Sequence, residues 1–461
     1  MSIHVIESCS PSEDMQAEVN TPVAEIALVA APPALACRAC VVVPARDEAQ
    51  SIAQTLAALA EQRDSDGRPL APDTYEVILL ANNCRDETVA TARRFAMQRD
   101  WPALHVAEVT LPPDRAHVGM ARRMAMDEAA RRLASVGQSR GLVATTDADT
   151  VVAPTWLAAM LHEVERGAEA VGGRILVTDA VLEAMAPAVR RRFLHHVAYA
   201  SLAHEVEARI DPQPGDPWPS HEQFSGASLA VTVQAYRQVG GLPSLPSNED
   251  VALGTALRRS DIAIRHSIDV RVFTSGRVHG RAPAGMADLL AGWATQAGDD
   301  TGHAVPSLAT VVGRATGRRA LRALWRCART WRNLDRDEVA SLATQAAVPE
   351  RWLQQAILET DRLGTLIDEV ERRSVWHIRP VLVRVEDAIA DLQSWLMPYR
   401  RTPAAPATVT HPLSPAPSVW TPSDTRWHQL RLAPPAVLAS REQVEPIPER
   451  PVPLAPPPQV A

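Results

Sequence analysis

The sequence predicts an α/β fold in which a mainly parallel, Rossmann-like sheet carries helices on its flanks. Three observations support this prediction. Short apolar runs recur between residues 40 and 146, which is typical of strands buried on both faces. Segments with helical spacing of apolar positions lie between these runs, as in βαβ units. The chain has 461 residues and is 46% hydrophobic, which is enough for a large core with appendages.

The first half of the predicted domain alternates strands and helices. Cys40–Pro44 (CVVVP) and Tyr75–Ala81 (YEVILLA) are the clearest strands, because apolar residues dominate them and polar residues follow them. In such sheets ligands bind beyond the carboxyl ends of the strands, here after Val43, Leu80 and Thr146. The other elements of this half are the strands His105–Val109 and Leu142–Thr146 and the helices Ala49–Gln62, Asp86–Arg99 and Val118–Ala134.

The pattern is less regular in the rest of the chain. The predicted elements are the helices Ala186–Ile210, Glu249–Arg259 and Ala284–Ala294 and the strands Ser228–Val233 and Val270–Thr274. We therefore expect four parts. They are a poorly ordered N-terminal arm (1–37), an α/β domain (38–300), a helical region (301–400) and a proline-rich, disordered tail (401–461).

The composition excludes several functional classes. The chain contains no lysine, so a P-loop lysine, a pyridoxal Schiff base and a protein-kinase strand lysine are all impossible. A formal net charge of −7 gives no electrostatic support for general nucleic-acid binding. The five cysteines do not suggest a disulfide framework in so long a chain, and Cys37 and Cys40 form an isolated CxxC pair.

The expected location is the cytoplasm. The N-terminus lacks the apolar core of a signal peptide, and no uninterrupted apolar run of about 18 residues predicts a membrane-spanning helix. The odd number of cysteines also fits a reducing compartment.

The strongest single motif is Asp147-Ala-Asp149, directly after an apolar strand. Two carboxylates one residue apart at the end of a strand can converge on one divalent cation, which then bridges to a diphosphate. A solvated turn or a helix cap is an equally good explanation of this motif taken alone, with Thr150 and Pro154 starting the next helix. The positions of other polar clusters favour the cation.

Two further polar clusters follow strands that end at the same edge. Arg46-Asp47-Glu48 follows the first strand, and Asn82 to Thr88 (NNCRDET) follows the second. Glu48 and Asn82 offer the directed donors and acceptors that a base and a ribose require. Within the second cluster, Asp86 and Thr88 are better explained as helix-capping residues.

Four motifs in this order resemble the family 2 glycosyltransferases of the GT-A fold. They are PARDEAQSI, LLANNCRDET, ATTDADTVV and SNEDVAL, and the resemblance extends from Cys40 to Trp293. It implies a nucleotide-sugar donor and a Mg²⁺ or Mn²⁺ cofactor. It also implies that Glu48, Asp47 and Asn82 contact the nucleoside. Asp147 and Asp149 would handle the metal and the donor diphosphate. This chain has Asn82 where the family usually has an aspartate.

The resemblance also implies a catalytic base. In inverting members the aspartate of the motif matched by Asn248-Glu249-Asp250 takes the proton of the acceptor hydroxyl, which makes Asp250 the candidate base and Glu249 a substrate-site residue. The alternative is that Glu249 and Asp250 only complement the dipole of the helix that they begin.

Basic residues near the expected donor site are candidates for binding phosphate. The family often places a basic, glycine-containing loop where Arg115, His117 and Gly119 lie, and Arg122 and Arg123 follow on the next helix. Since the chain has no lysine, one of these arginines is a reasonable phosphate ligand, although a solvated helix face explains any particular one equally well.

A late loop offers the last candidates. Residues 274–281 (TSGRVHGR) contain Arg277, a candidate for the diphosphate, and His279, a candidate metal ligand since several GT-A enzymes complete the metal site with a late histidine. On the acceptor side we expect residues 224–228 (FSGAS), with His221 and the loop of Trp218 as possible sugar contacts.

The function predicted from these motifs is transfer of a sugar, of the hexosyl type, to an acceptor hydroxyl. Inversion is the default outcome, and the acceptor is expected to be a small molecule or a group on a carrier. A nucleotidyltransferase on a related fold is one alternative, although PARDEAQSI lacks the glycine-rich loop typical of that class. A non-catalytic scaffold is another alternative. A nicotinamide-dependent dehydrogenase is excluded, because the GxGxxG motif that it needs after the first strand is absent. The helical region could shape the acceptor pocket or mediate homo-oligomerisation.

Overall fold

The computed structural model describes residues 27–101, 103–275, 286–295, 303–331 and 334–401. The strands are β1 Ala39–Ala45, β2 Tyr75–Asn82, β3 Leu104–Val109, β4 Leu142–Thr145, β5 Thr150–Val152, β6 Ala170–Leu176, β7 Leu229–Thr232, β8 Ile264–Thr274, β9 Ala304–Pro306 and β10 Leu382–Arg384. The first eight helices are α1 Ile52–Ala60, α2 Thr88–Arg99, α3 Val118–Ser135, α4 Trp156–Glu165, α5 Asp179–Ala184, α6 Pro187–Ile210, α7 Val233–Gln238 and α8 Glu249–Arg259. The others are α9 Met286–Thr295, α10 Leu308–Trp331, α11 Arg336–Ala346, α12 Glu350–Glu359, α13 Leu363–Arg373, α14 Val375–Ile378 and α15 Val385–Arg401.

Eight strands form one sheet in the order β3-β2-β1-β4-β7-β6-β8-β5. The first four are parallel, β7 runs antiparallel to both β4 and β6, and β8 is parallel to β6. The carboxyl ends of β1, β2, β4, β6 and β8 therefore lie at the same edge of the sheet. This arrangement confirms the predicted α/β fold with a mainly parallel, Rossmann-like sheet.

The core lies on both faces of the sheet. Every residue of β1 and β2 is buried, which explains why these strands have continuous apolar sequences. Helices α1, α2 and α4 cover one face, and α3, α7 and α8 cover the other. The loops at the carboxyl edge thus extend from a sheet that is covered by packed helices on both faces.

Strand β6 was not predicted, because Gly172 and Gly173 interrupt its apolar pattern. Both glycines are needed for close approach of the chain. A Cβ on Gly172 would lie 2.5 Å from the carbonyl oxygen of Gln223, and one on Gly173 would lie 2.0 Å from Oγ of Ser228. Strand β6 therefore has glycine at the two positions where the segment before β7 passes too close for a side chain.

Part of the expected N-terminal arm (1–37) packs on α3. Val29 is buried, its amide donates to Oε1 of Glu128 at 3.3 Å, and Arg132 donates to the carbonyl of Ala31 at 2.5 Å. Residues 1–26 lie outside the described residues, so the arm remains a prediction there.

Helices α10 to α15 follow the sheet domain, as the helical region 301–400 was expected to do, with one short antiparallel pair, β9 and β10, among them. Helix α10 lies along α6 through ion pairs. Arg318 donates to Glu207 at 2.8 Å and Arg314 pairs with the same carboxylate, while Arg322 reaches Asp211 at 2.8 Å. Glu207 has a pKa of about 2, because these two arginines outweigh the burial that would raise it.

Helix α13 is joined to the C-terminal end of α8 by hydrogen bonds and an ion pair. Asp261 accepts hydrogen bonds from the amides of Leu363 and Gly364 at 3.1 and 2.6 Å, and Arg259 pairs with Asp368 at 2.7 Å. Gly364 is required at this contact, since a Cβ there would lie 1.7 Å from the carbonyl oxygen of Arg258. The helix that begins with Glu249 and Asp250 is thus held at its far end by the helical region.

Residues 1–395 form one compact unit, and a second unit comprises residues 396–461. Of the second unit the structure describes only the last residues of α15, which include Arg401, so the proline-rich tail (401–461) remains a prediction from Thr402 onward. Among the described residues, no helix is both long and apolar enough to cross a membrane.

Candidate functional site

The loops that follow β1 and β2 are fixed to one another. The amide of Glu48 donates to Oγ1 of Thr88 at 2.7 Å, and the amide of Ala49 donates to Oδ2 of Asp86 at 3.0 Å. Asp86 also accepts the amide of Thr88 at 3.0 Å, at the start of α2. Asp86 and Thr88 therefore hold the two loops together, whereas the N-cap of α2 is Glu87 rather than either of them.

Asp47 and Glu48 point into different surroundings. Asp47 has a left-handed backbone, with φ of 53°, and its Oδ1 accepts the amide of Arg85 at 2.6 Å. Glu48 is 7% exposed, and its Oε2 accepts the hydroxyl of Ser51 at 2.8 Å. Both carboxylates thus lie at the expected strand end, each with a partner in its own loop or the neighbouring one.

Asn82 ends β2 with an open acceptor. Its side chain is 2% exposed, and Nδ2 makes a long contact of 3.5 Å to the carbonyl of His117. In the described part of the structure its Oδ1 is buried and accepts no hydrogen bond. Since leaving a buried acceptor unpaired costs about 1–3 kcal/mol, this atom fits a site that a ligand donor completes.

Asp147 and Asp149 follow β4 as predicted, and each has a protein partner. Arg122 donates to Oδ1 of Asp147 at 2.5 Å, and the hydroxyl of Ser275, just after β8, donates to Oδ2 of Asp149 at 2.5 Å. The carboxylates of Asp147 and Asp149 are therefore bound by side chains from two different parts of the chain, helix α3 and the segment after β8. Ser275 was not singled out in the sequence, because only the pairing of β8 with β5 brings it to this edge.

The pKa of Asp147 is raised by its surroundings. Desolvation by the surrounding protein raises the pKa of this carboxyl, and the guanidinium of Arg122 opposes the rise. The carboxylates of Asp149 and Asp250 add to the rise. The charge of the predicted base thus acts on the predicted metal-binding pair, although the two are far apart in sequence.

Asp250 is held at the first turn of α8. Its Oδ2 accepts the amide of Gly226 at 2.8 Å, and its Oδ1 accepts the amide of Val251 at 2.8 Å. Asn248, at the N-cap of α8, has a left-handed backbone with φ of 58°. The carboxylate is half-buried and fixed in orientation by two amides, one of them from the segment expected on the acceptor side.

Arg122 is the main residue whose role the sequence did not reveal. It was grouped with the phosphate-binding arginines, whereas the structure buries it at 3% exposure and pairs it with both Asp147 and Glu249. Its Nε also contacts Oγ1 of Thr145 at 3.3 Å. An arginine on a helix gives no sequence signal for such a pairing, because Glu249 lies 127 residues further along.

The basic loop before α3 lies at the same edge. Arg115 is exposed, and His117 caps α3 by accepting the amide of Met120 at Nδ1, 3.2 Å away. Burial lowers the pKa of His117. Gly119 is needed here, since a Cβ would lie 1.9 Å from the carbonyl oxygen of Leu245. The loop is thus anchored beside the segment that leads to α8.

Two candidates of the late loop cannot be located. Arg277 and His279 lie outside the described residues, which stop at Ser275 and resume at Met286. On the expected acceptor side, His221 is buried between the carbonyl of Ser267 and the amide of Gln223, whereas Trp218 is 38% exposed.

Residues 40–210 match the model of glycosyl transferase family 2. No curated protein matches the chain. Solved structures with a similar chain path include a mannosyltransferase (PcManGT) from Pyrobaculum calidifontis in complex with GDP-Man and Mn²⁺. It is 18% identical, over 79% of this chain and 94% of that one, with a TM-score of 0.37.

Two other similar structures are more distant in sequence or cover less of the chain. Residues 1–349 of TarS from S. aureus are 11% identical over 78% of this chain and 92% of that one, with a TM-score of 0.34. Glucosyl-3-phosphoglycerate synthase from Mycobacterium tuberculosis, with Mn²⁺, UDP-Glc and phosphoglyceric acid, is 17% identical over 59% of this chain and 83% of that one, with a TM-score of 0.32.

The family match covers the loops after β1, β2 and β4 and ends before the segment that contains Asp250. The residues that match glycosyl transferase family 2 are therefore 40–210, and they hold Glu48, Asn82, Asp147 and Asp149 at one edge of the mainly parallel sheet.

Proposed function

We propose that the protein is a metal-dependent glycosyltransferase of the hexosyl type, which moves a sugar from a nucleotide-diphosphate sugar to an acceptor hydroxyl. The observation that carries the proposal is that Asp147 and Asp149 follow β4 at the edge where β2 ends with the buried Asn82, while Arg122 links Asp147 to the first turn of α8, which contains Asp250. The match of residues 40–210 to the model of glycosyl transferase family 2 supports it.

The donor nucleoside would lie over the ends of β1 and β2. Asn82 Oδ1 is one of the buried polar atoms that have no hydrogen-bond partner among the described residues, and an N–H of a base or a hydroxyl of a ribose would satisfy it. Glu48 and Asp47 flank this position. Arg115 on the exposed loop and Arg277 are the proposed phosphate contacts.

The residues present fit a hard divalent cation. Carboxylate oxygens are the ligands that Mg²⁺ and Mn²⁺ prefer, and Asp147 and Asp149 place two carboxylates directly after β4, the first of them paired with Arg122. Asp149 and Asp147 would hold the metal, with His279 as a third protein ligand. When bound, the metal supplies Lewis-acid stabilisation of the departing nucleoside diphosphate.

Asp250 would act as the general base. Two amide donors hold its carboxylate, and a carboxylate suits a reaction in which the acceptor proton moves late. Attack from the face opposite the leaving group makes inversion the expected outcome. Glu249, one residue earlier, keeps the first turn of α8 in place through Arg122.

The remaining parts of the proposal concern partners and location. The acceptor would be a small molecule or a group on a carrier, and nucleic acid is not expected as a partner. The helical region is a candidate surface for homo-oligomerisation. We propose a cytoplasmic protein, and the structure adds only that none of its described helices is suited to crossing a membrane.

Calorimetric titration of UDP, GDP and ADP, each with and without Mn²⁺, tests the donor site. We expect one nucleotide to bind in a metal-dependent way to the wild type and not to Asp149→Ala. Asp66→Ala is the control, because Asp66 lies 60% exposed in a surface loop, paired with Arg68. Binding that survives in Asp149→Ala would refute the metal assignment, and absence of binding to the wild type would refute the function.

A further inference from the structure

Arg122 lies at the point where three parts of the site meet. It extends from α3 beneath the carboxyl edge, where it is 3% exposed. Its Nη2 donates to Oδ1 of Asp147 at 2.5 Å, its Nη1 pairs with Oε1 of Glu249, and its Nε contacts Oγ1 of Thr145 at 3.3 Å. One guanidinium therefore joins the end of β4 to the first turn of α8.

Gly226 adds a third part to this junction. A Cβ at Gly226 would lie 2.4 Å from Cζ of Arg122 and 2.6 Å from Nη1 and Nη2, so the backbone passes directly over the guanidinium. The amide of Gly226 donates to Oδ2 of Asp250 at 2.8 Å. The loop of Gly226 thus binds one oxygen of the Asp250 carboxylate. The same loop packs on Arg122, the side chain that anchors the first turn of α8.

These contacts exclude the phosphate-binding role that the sequence suggested for this arginine. Each of the three guanidinium nitrogens already contacts an oxygen of the protein, and Gly226 covers its face. A phosphate would have to displace a carboxylate from a buried cation, and an unpaired buried charge is costly. Arg122 therefore acts on the site through other residues.

We propose that Arg122 is a positioning residue that fixes the base Asp250 relative to the metal-binding carboxylate Asp147, and so relative to the donor sugar. The inference depends on the proposed function for the identity of the base. In-line transfer needs the acceptor oxygen between base and anomeric carbon, and a misplacement of about 1 Å can cost about a hundredfold in rate. A rigid link between the two carboxylates meets this need.

Arginine is the residue type that this link requires. Its planar guanidinium offers five donors in a fixed fork, so it can bind two carboxylates in different directions and still present a flat face to Gly226. Lysine would keep the charge but is a compact point donor on a flexible stem. The substitution Arg122→Lys therefore removes the geometry and retains the charge.

The chain provides a matched control on the same helix. Arg132 also lies on α3, is 1% exposed, and binds one carboxylate, Glu76, at 2.6 and 2.8 Å. It lies among Val29, Ala31 and Glu76, away from the carboxyl edge. Arg132→Lys therefore measures the cost of replacing a buried arginine of α3 without disturbing the junction.

The first measurement is amide hydrogen exchange, which does not depend on activity. In Arg122→Lys we expect exchange of the amides of Gly226 and Val251, the two donors to Asp250, to accelerate at least tenfold relative to Arg132→Lys. Thermal melting of both variants corrects for global stability. Exchange no faster than in the control would overturn the proposal, whether or not the wild type transfers a sugar.

The second measurement is a kinetic cycle with the base. We expect Arg122→Lys to lower kcat about 10- to 100-fold while metal-dependent nucleotide affinity changes less than about fivefold. In the Asp250→Asn background the same change should lower kcat less than about threefold, because a residue that acts through the base has nothing left to position.

The outcomes separate the two claims. An equal loss of kcat in both backgrounds, or a kcat within threefold of wild type, would show that Arg122 does not act through Asp250. A wild type that transfers no sugar would refute the proposed function instead, and the exchange result would still decide whether Arg122 anchors the first turn of α8.

Discussion

His221 gives the chain a specific sensitivity to acid. The ring is buried at the start of the segment that runs to Gly226. Its Nε2 contacts the carbonyl of Ser267 at 3.1 Å, and its Nδ1 accepts the amide of Gln223 at 3.1 Å. This pattern requires the neutral imidazole. Burial lowers the pKa of His221 to about 3, with a further contribution from the nearby His266.

The sign and size of the effect follow from this shift. Above pH 6.5, the ordinary value for histidine, the ring is neutral in both states and stability does not depend on it. Below that pH the unfolded chain binds a proton that the folded chain rejects down to about pH 3, so the free energy of unfolding falls. The loss is about 1.4 kcal/mol at pH 5.5 and about 2.7 kcal/mol at pH 4.5.

The substitution His221→Gln removes the titrating ring. Its free energy of unfolding should be lower than that of the wild type at pH 7.5, because a flexible amide replaces a rigid, buried ring whose two nitrogens are already placed for both hydrogen bonds. Urea unfolding at pH 7.5, 5.5 and 4.5 should then show this gap narrowing by about 1.4 and about 2.7 kcal/mol. His162→Gln, at an exposed position of α4, is the control. A gap that stays constant across the three pH values would refute the argument.

Two further predictions concern the base and the helical region. Asp250→Asn should leave nucleotide affinity within a few-fold of wild type and lower the rate of sugar transfer by orders of magnitude, measured by product release; transfer within a few-fold of wild type would exclude Asp250 as base. Gly364→Ala should destabilise the protein by about 1–3 kcal/mol in urea unfolding, because its Cβ would meet the carbonyl oxygen of Arg258 at 1.7 Å. Gly292→Ala is the control, since the new Cβ would have no atom of another described segment within 4 Å, and equal effects of the two substitutions would contradict the close contact.

The sequence predicted the parts of the fold that local pattern determines. Strands β1, β2 and β4 are buried on both faces, so their apolar runs are continuous, and the polar loops after them fall at one edge because the strands are parallel. The predicted helix Glu249–Arg259 agrees with α8. Glu48, Asn82, Asp147 and Asp149 lie at the expected edge, while their roles remain proposals.

Features set by tertiary contact were not predictable. Strand β6 was missed because glycines interrupt its apolar pattern. These glycines are required by the close approach of Gln223 and Ser228, which the sequence does not reveal. The pairing of Arg122 with Glu249 depends on two helices meeting over the sheet. Likewise, β9 and β10 are three residues each and pair across 75 intervening residues, within a region whose apolar spacing is helical.

The contact between α13 and α8 bears on how far the chain could be shortened. A protein ending near residue 300 would keep every strand of the large sheet but lose the partners of Asp261 and Arg259 at the end of α8. It would also leave Glu207 without the two arginines that neutralise it. The smallest fragment able to hold Asp250 in its place should therefore extend through α13, well beyond the last strand of the large sheet.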